Sequence, residues 1–135
     1  MNCKVLVLSH GNLAGSLVDT VKLIFGSTDG IEYMNMPDPF DQNKYEQDIR
    51  NIIEENKQEG VLIMCDLLGG SPFLTCTKIV RDYWDQTELV TGVNLGMLLE
   101  IMSGINNLSI SDLKNIALNA GKEGVTDIKE RLGKK

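Results

Sequence analysis

The sequence predicts a doubly wound α/β domain built on a parallel sheet, and three observations carry this reading. Short apolar runs of strand length alternate with segments of helical periodicity along the whole chain. The intervening segments are long enough for parallel crossovers. One run, Val61-Leu62-Ile63-Met64-Cys65, is apolar at every position. A strand covered by helices on both faces has that composition.

The elements follow in order. Lys4 to Leu8 is a first strand. Leu13 to Phe25 has helical spacing, with Leu13, Leu17, Val21, Ile24 and Phe25 on one face beside Ala14 and Val18. Asn12 is placed to cap its start and Gly26 its end. Ile31 to Met34 is a second strand, and Pro37-Asp38-Pro39 breaks regular structure after it. Asn43 to Gln58 reads as a helix with Tyr45, Ile49, Ile52 and Ile53 inward and Gly60 at its end. The third strand is Val61 to Cys65, followed by the loop Asp66 to Gly70. Ser71-Pro72 opens a helix, serine as cap and proline in the first turn, with Phe73, Cys76, Thr77 and Val80 toward the core.

Glu88 to Val93 is a fourth strand, and Leu95 to Met102 a short apolar helix. Ser109-Ile110-Ser111-Asp112 has capping-box spacing and starts a last long helix, with Leu113, Ile116, Ala117 and Ala120 inward and Gly121 and Gly124 at its close. Val125 to Lys129 fits either a short strand or a helical tail. All of residues 1–135 form one domain, without internal repeat or linker.

Composition narrows the function. A net charge of −6 argues against nucleic acid as a partner, because phosphate backbones need a basic footprint. Lys134-Lys135 reads as a solvated tail. No apolar stretch approaches the roughly 20 residues that span a bilayer, and no signal peptide is expected, so a cytoplasmic protein is. The three cysteines, Cys3, Cys65 and Cys76, form no CxxC and no disulfide framework; Cys3 and Cys65 lie in apolar runs as small core residues. With one histidine and no cysteine cluster, neither a metal site nor a cofactor is expected.

That histidine, His10, falls where the first apolar run gives way to glycine. In the common strand order 2-1-3-4, strands one and three are neighbours, and ligands bind beyond their carboxyl ends. His10 and Asp66 would then be the first polar residues past adjacent strands. A carboxylate that accepts from one imidazole nitrogen fixes the tautomer and frees the other nitrogen as a nucleophile. Asp66 read alone fits a loop residue capping a backbone amide equally well. Gly69-Gly70-Ser71-Pro72 leads into a helix whose first N–H groups suit an anion. The spacing does not match the lysine-containing phosphate loop GxxxxGK[ST].

At these residues the chain resembles the IIA domain of the mannose family of the bacterial phosphoenolpyruvate-dependent sugar phosphotransferase system. The likeness rests on Val7-Leu8-Ser9-His10-Gly11, Cys65-Asp66-Leu67-Leu68-Gly69-Gly70-Ser71-Pro72-Phe73, Thr91-Gly92-Val93-Asn94-Leu95-Gly96-Met97-Leu98 and Asn119-Ala120-Gly121-Lys122-Glu123-Gly124-Val125, in that order. Asn12 stands where some members carry a large aromatic, and Leu68 where many do.

The resemblance implies that His10 takes a phosphoryl group from phospho-HPr and passes it to a IIB component. It implies that Asp66 orients the ring through Nδ1, and that Leu67, Leu68, Gly69, Gly70 and Ser71 shelter the phosphate. It also implies a sheet of order 2-1-3-4 whose fifth, antiparallel strand, over Val125 to Lys129, is exchanged within a homodimer. The chain would be a stand-alone IIA subunit, touching the membrane only through IIC and IID components. Two other readings share features with it. One is the phosphotransfer subunit that feeds dihydroxyacetone kinase. The other is a receiver-type signalling domain with its phosphate on Asp66, although that class needs an acidic pair where Ser9-His10-Gly11 stands.

Overall fold

The uniformly apolar run forms a strand in the middle of the sheet. In the computed structural model, which describes residues 3–133, β3 (Val61–Cys65) is fully buried and hydrogen-bonded on both sides. The other strands are β1 (Lys4–His10), β2 (Ile31–Met36) and β4 (Thr87–Val90). All pairings are parallel and the order is β2-β1-β3-β4, as expected. Lys134-Lys135 lie outside the described residues.

Strand alternation divides the interior into two cores. Val5 and Val7 of β1, with Leu62 and Met64 of β3, meet α1 (Leu13–Phe25), α4 (Leu95–Met102) and α5 (Ile110–Glu123). Leu6, Leu8, Ile63 and Cys65 point the other way, against α2 (Gln42–Glu55) and α3 (Ser71–Asp82). This two-sided covering is the doubly wound arrangement. All three cysteines are buried and free.

Several local expectations are corrected. The buried line of α1 is Ala14–Gly15–Val18–Val21, while Leu13 and Ile24 are exposed. Gly15 explains the rotation: a β-carbon there would meet the Tyr33 ring at 2.9 Å, so small residues let the helix sit close to β2. β1 and β2 run on to His10 and Met36, and β4 ends at Val90. α2 starts at the Asp41 cap and stops at Glu55, so Gly60 serves the turn into β3. Gly70, not Ser71, is the cap residue of α3, and its buried side is Pro72, Thr75, Cys76 and Ile79. Ser109 caps α5 as the spacing required, accepting from the Asp112 N–H at 3.1 Å.

The fifth strand is not formed within the single chain. Gly124 caps α5, residues 125–127 are irregular, and α6 spans Ile128–Leu132. Asp127 accepts from the Lys129 and Glu130 N–H groups and so starts a local helix. A strand exchanged between subunits needs a second chain to pair with.

The two-core packing gives a stability expectation. Ile63 is fully buried in β3, so Ile63→Ala should cost about 2–5 kcal/mol through lost burial and the cavity left. Leu23 is 84% exposed on α1, and Leu23→Ala should stay within about 0.5 kcal/mol. Urea unfolding followed by circular dichroism measures both.

Candidate functional site

His10 is the last residue of β1, paired in register with Met36 of β2. The chain then turns sharply at Gly11, whose φ of +54° lies in the left-handed region that glycine favours. The Gly11 N–H donates to the Met36 carbonyl at 2.9 Å. The following helix is anchored by two side chains that the sequence reading did not single out. Buried Ser9 accepts from the Ala14 N–H at 2.6 Å, and Asn35 Oδ1 from the Gly15 N–H at 3.0 Å. Asn12 occupies the cap position of α1 but makes no capping bond with its side chain. The signal for Ser9 was present: a polar residue closing an apolar strand needs an internal partner.

Asp66 follows β3 directly, as expected, and meets His10 across the β1–β3 boundary. Its Oδ2 accepts from His10 Nδ1 at 2.8 Å and from the His10 backbone N–H at 3.0 Å. Its Oδ1 accepts from the Leu67 N–H at 2.9 Å. Burial would push this carboxyl up, but the bonds from the His10 ring and backbone, with the charge of the ring, hold it below the usual range. An ionised carboxylate only accepts, so Nδ1 carries the proton, and in the neutral form of the ring the lone pair is the one at Nε2. The imidazole is 44% exposed, whereas the Asp66 side chain is 10% exposed. The ring is open to solvent and the carboxylate bonded to it is covered. Both oxygens of Asp66 being engaged, the receiver reading lacks the free carboxylate it requires.

The glycine loop closes against the ring. A β-carbon at Gly70 would stand 2.5 Å from His10 Cε1 and 3.2 Å from Nε2. The backbone at Gly70 is ordinary extended chain, so the constraint there is the imidazole itself. Gly69 is different, with φ +93° and open space around it. Leu67 and Leu68 are exposed, and Ser71 is exposed at the first position of α3. Among the described residues no protein acceptor takes the N–H of Gly70, Ser71 or Phe73. The loop after β4 is tethered here too, by the Val93 N–H to the Cys65 carbonyl at 3.0 Å. Among the described residues no three His, Cys, Asp or Glu side chains are grouped to hold a metal ion.

Fold and site together define a doubly wound α/β domain with one carboxylate-oriented imidazole at its switch point. The model of the PTS (phosphotransferase system) fructose IIA component family matches residues 4–118, and the chain belongs to this family, the mannose-type IIA components. It is 30% identical to the fructose-specific EIIA component of Bacillus subtilis, over 82% of this chain and 76% of that one. It is 28% identical to the mannose-specific EIIAB component of Escherichia coli K12 over 97% of its own length, but spans only 41% of that protein. A phosphotransferase system EIIA component from Streptococcus agalactiae superposes with a TM-score of 0.85 at 25% identity, covering 95% of this chain and 98% of that one.

Two expectations follow from this geometry. A carboxyl whose pKa is lowered by folding stabilises the fold above its unfolded value of about 3.9, and that contribution is lost as pH falls through the lower folded value. Asp66→Asn should therefore flatten the fall of the urea midpoint as the pH drops below about 5. Gly70→Ala should displace the ring and mix the two His10 tautomers, which 15N shifts of the imidazole report. An unchanged single tautomer would show that the ring tolerates the methyl group.

Proposed function

We propose that this protein is a phosphocarrier of sugar uptake: His10 accepts a phosphoryl group from phospho-HPr and delivers it to a IIB component. The observation that carries the reading is the 2.8 Å bond from His10 Nδ1 to Asp66, which leaves Nε2 of a part-exposed ring without a bond to the protein. The Nε2 lone pair attacks phosphorus, and the P–N bond to the donor imidazole breaks with its electron pair returning to that ring. Nδ1 keeps its proton, so phosphorylated His10 is an imidazolium beside the Asp66 carboxylate. The charge that develops is thus met by one already in place. Transfer onward reverses these steps with the acceptor on the IIB component.

The loop Leu67 to Ser71 is the phosphate shelter in this reading. The N–H groups at the start of α3 and the Ser71 hydroxyl supply neutral donors to the phosphoryl oxygens. Exposed Leu13, Leu67, Leu68 and Leu74 flank the site residues along the chain and offer apolar surface to protein partners. The same reading takes the protein as a cytoplasmic homodimer. β4 is an edge strand, and Val125 and Ile128 are exposed beyond α5, free to pair with the β4 edge of a second copy. No described helix is long and apolar enough to cross a membrane.

Incubation with phosphoenolpyruvate, enzyme I and HPr should place an acid-labile, base-stable phosphate on the protein. His10→Ala should abolish it; label persisting in that variant would overturn the reading. Asp66→Ala should stay folded and slow transfer by at least about tenfold, equivalent to about 1.4 kcal/mol of barrier. Transfer at the parent rate would remove Asp66 from the mechanism.

A further inference from the structure

A groove runs from the glycine loop along the side of α3. Ser71, Leu74, Thr75 and Lys78 of α3 line it with Gln42 of α2, so Lys78 is the one cation among its lining residues. The four α3 positions, at i, i+3, i+4 and i+7, form one helix face. The upper end of the groove belongs to the site: a β-carbon at Gly70 would stand 3.2 Å from His10 Nε2, and Ser71 is the next residue. Polar rungs join α3 to α2 and climb both helices in the same direction. Gln42 Nε2 donates to Thr75 Oγ1 at 2.9 Å, Lys78 Nζ to Glu46 Oε1 at 2.8 Å, and Arg50 Nη1 meets Asp82 Oδ2 at 3.0 Å. The Lys78 ammonium is thus bonded one rung below the Gln42–Thr75 pair, on the side away from the loop.

Glu46 also meets Arg50 Nη2 at 3.0 Å through its other oxygen. The bond from Lys78 first, and that from Arg50 next, hold the Glu46 carboxyl below the usual carboxylate range. Glu46 is therefore ionised near neutral pH and its grip on Lys78 is constant there. Released from it, Lys78 has the reach to serve the loop. Seven residues of helix separate it from Ser71 by about 10.5 Å along the axis. Helical side chains lean toward the N-terminus, and an extended lysine carries its ammonium about 6 Å from its Cα. The gap that remains to Ser71 is shorter than the Debye length of about 8 Å at physiological ionic strength. Asp82, four residues on, is the alternative anion on the same helix. Arg50 already engages it, and a lysine that precedes its acid at this spacing is the weaker order.

We propose that Glu46 is a positioning residue for Lys78: by holding the ammonium one rung down, it keeps a free cation out of the groove beside Ser71 and so sets how strongly the site retains a phosphoryl group. This rests on the phosphocarrier reading and concerns the balance of the exchange rather than its occurrence. Glu46→Gln removes the charge and keeps the size. At equilibrium with phospho-HPr and HPr, it should raise the ratio of phosphorylated to free protein by about threefold, the scale of one part-exposed ion pair. Glu46→Gln combined with Lys78→Gln should return to the parent ratio. The difference should shrink as salt shortens the Debye length from about 10 Å at 0.1 M to about 3 Å at 1 M. A ratio unchanged in Glu46→Gln, or a shift that persists without Lys78 or at high salt, would overturn the proposal. Inorganic phosphate, titrated against the amide shifts of Gly70 and Ser71, gives a readout without transfer. It should bind Glu46→Gln about threefold more tightly than the parent, and the double variant like the parent. A parent protein that takes no phosphoryl group from phospho-HPr would sink the phosphocarrier reading. The phosphate titration would then decide on Glu46 alone, with equal affinity in parent and Glu46→Gln overturning its role as well.

Discussion

The bond between His10 and Asp66 is the constraint on which the rest of the site depends. It joins the ends of two neighbouring strands, and it exists because the sheet order puts β1 beside β3. Registry does the fine placement: Leu8 lies opposite Cys65, so the residues that follow each strand emerge side by side. The carboxylate is held by the His10 backbone as well as by its ring, so the orientation does not rest on one flexible side chain. Two strands buried on both faces and fixed by two cores cannot slide relative to each other without emptying both. Core packing thus becomes angular precision at one imidazole.

Around this bond the chain has to reverse direction twice within a few residues, and polar groups that never touch the ring make that possible. Ser9 and Asn35 satisfy the first amides of α1, which brings the helix start tight against β1 and β2. With those amides taken, α1 has less to offer an anion, although it begins nearer to His10 along the chain. The start of α3 keeps its first amides free, and Gly70, where a β-carbon would collide with the imidazole, lets the loop lie against the ring. Of the two helix starts at the switch point, one is tied down by neighbouring side chains and the other keeps its first amides free.

The sequence made the architecture readable because periodicity and burial agree there. Val61 to Cys65 could only be a central strand, and the helices over 13–25 and 95–102 fell within their observed bounds. His10 and Asp66 were legible for a related reason: each is a polar residue at the carboxyl end of an apolar strand run. What was not legible depended on tertiary contact. Leu13 and Ile24 looked like core by spacing, but Gly15 let α1 rotate against Tyr33 and turned them outward. Ser71 looked like a cap, yet the demand of the imidazole for a residue without a β-carbon put Gly70 at that position. The buried Tyr45 hydroxyl, without a hydrogen-bond partner among the described residues, is invisible to pattern, since a tyrosine on the inner face of a helix reads simply as core. Val125 to Lys129 remained ambiguous because its conformation is not set by local signals alone: in the single chain it follows the Asp127 cap, while a second chain would offer it a strand edge.

A carrier differs from an enzyme that keeps its intermediate, and the charges of the site bear on that difference. A group that must be both taken up and given away cannot be held too well on either side. Among the described residues the charge bonded to the ring is negative, on Asp66, and it acts on the imidazole. The donors available to phosphoryl oxygens are neutral amides and a serine hydroxyl. The lysine that shares a groove with Ser71 is Lys78, and its ammonium is bonded to Glu46 at 2.8 Å. An unpaired cation in that groove would deepen the phosphorylated state through a charge-assisted bond roughly twice as strong as a neutral one. With Lys78 engaged, the proposed carrier role would rest on dipoles, which would shelter a phosphoryl group and leave its exchange with the next acceptor close to balanced.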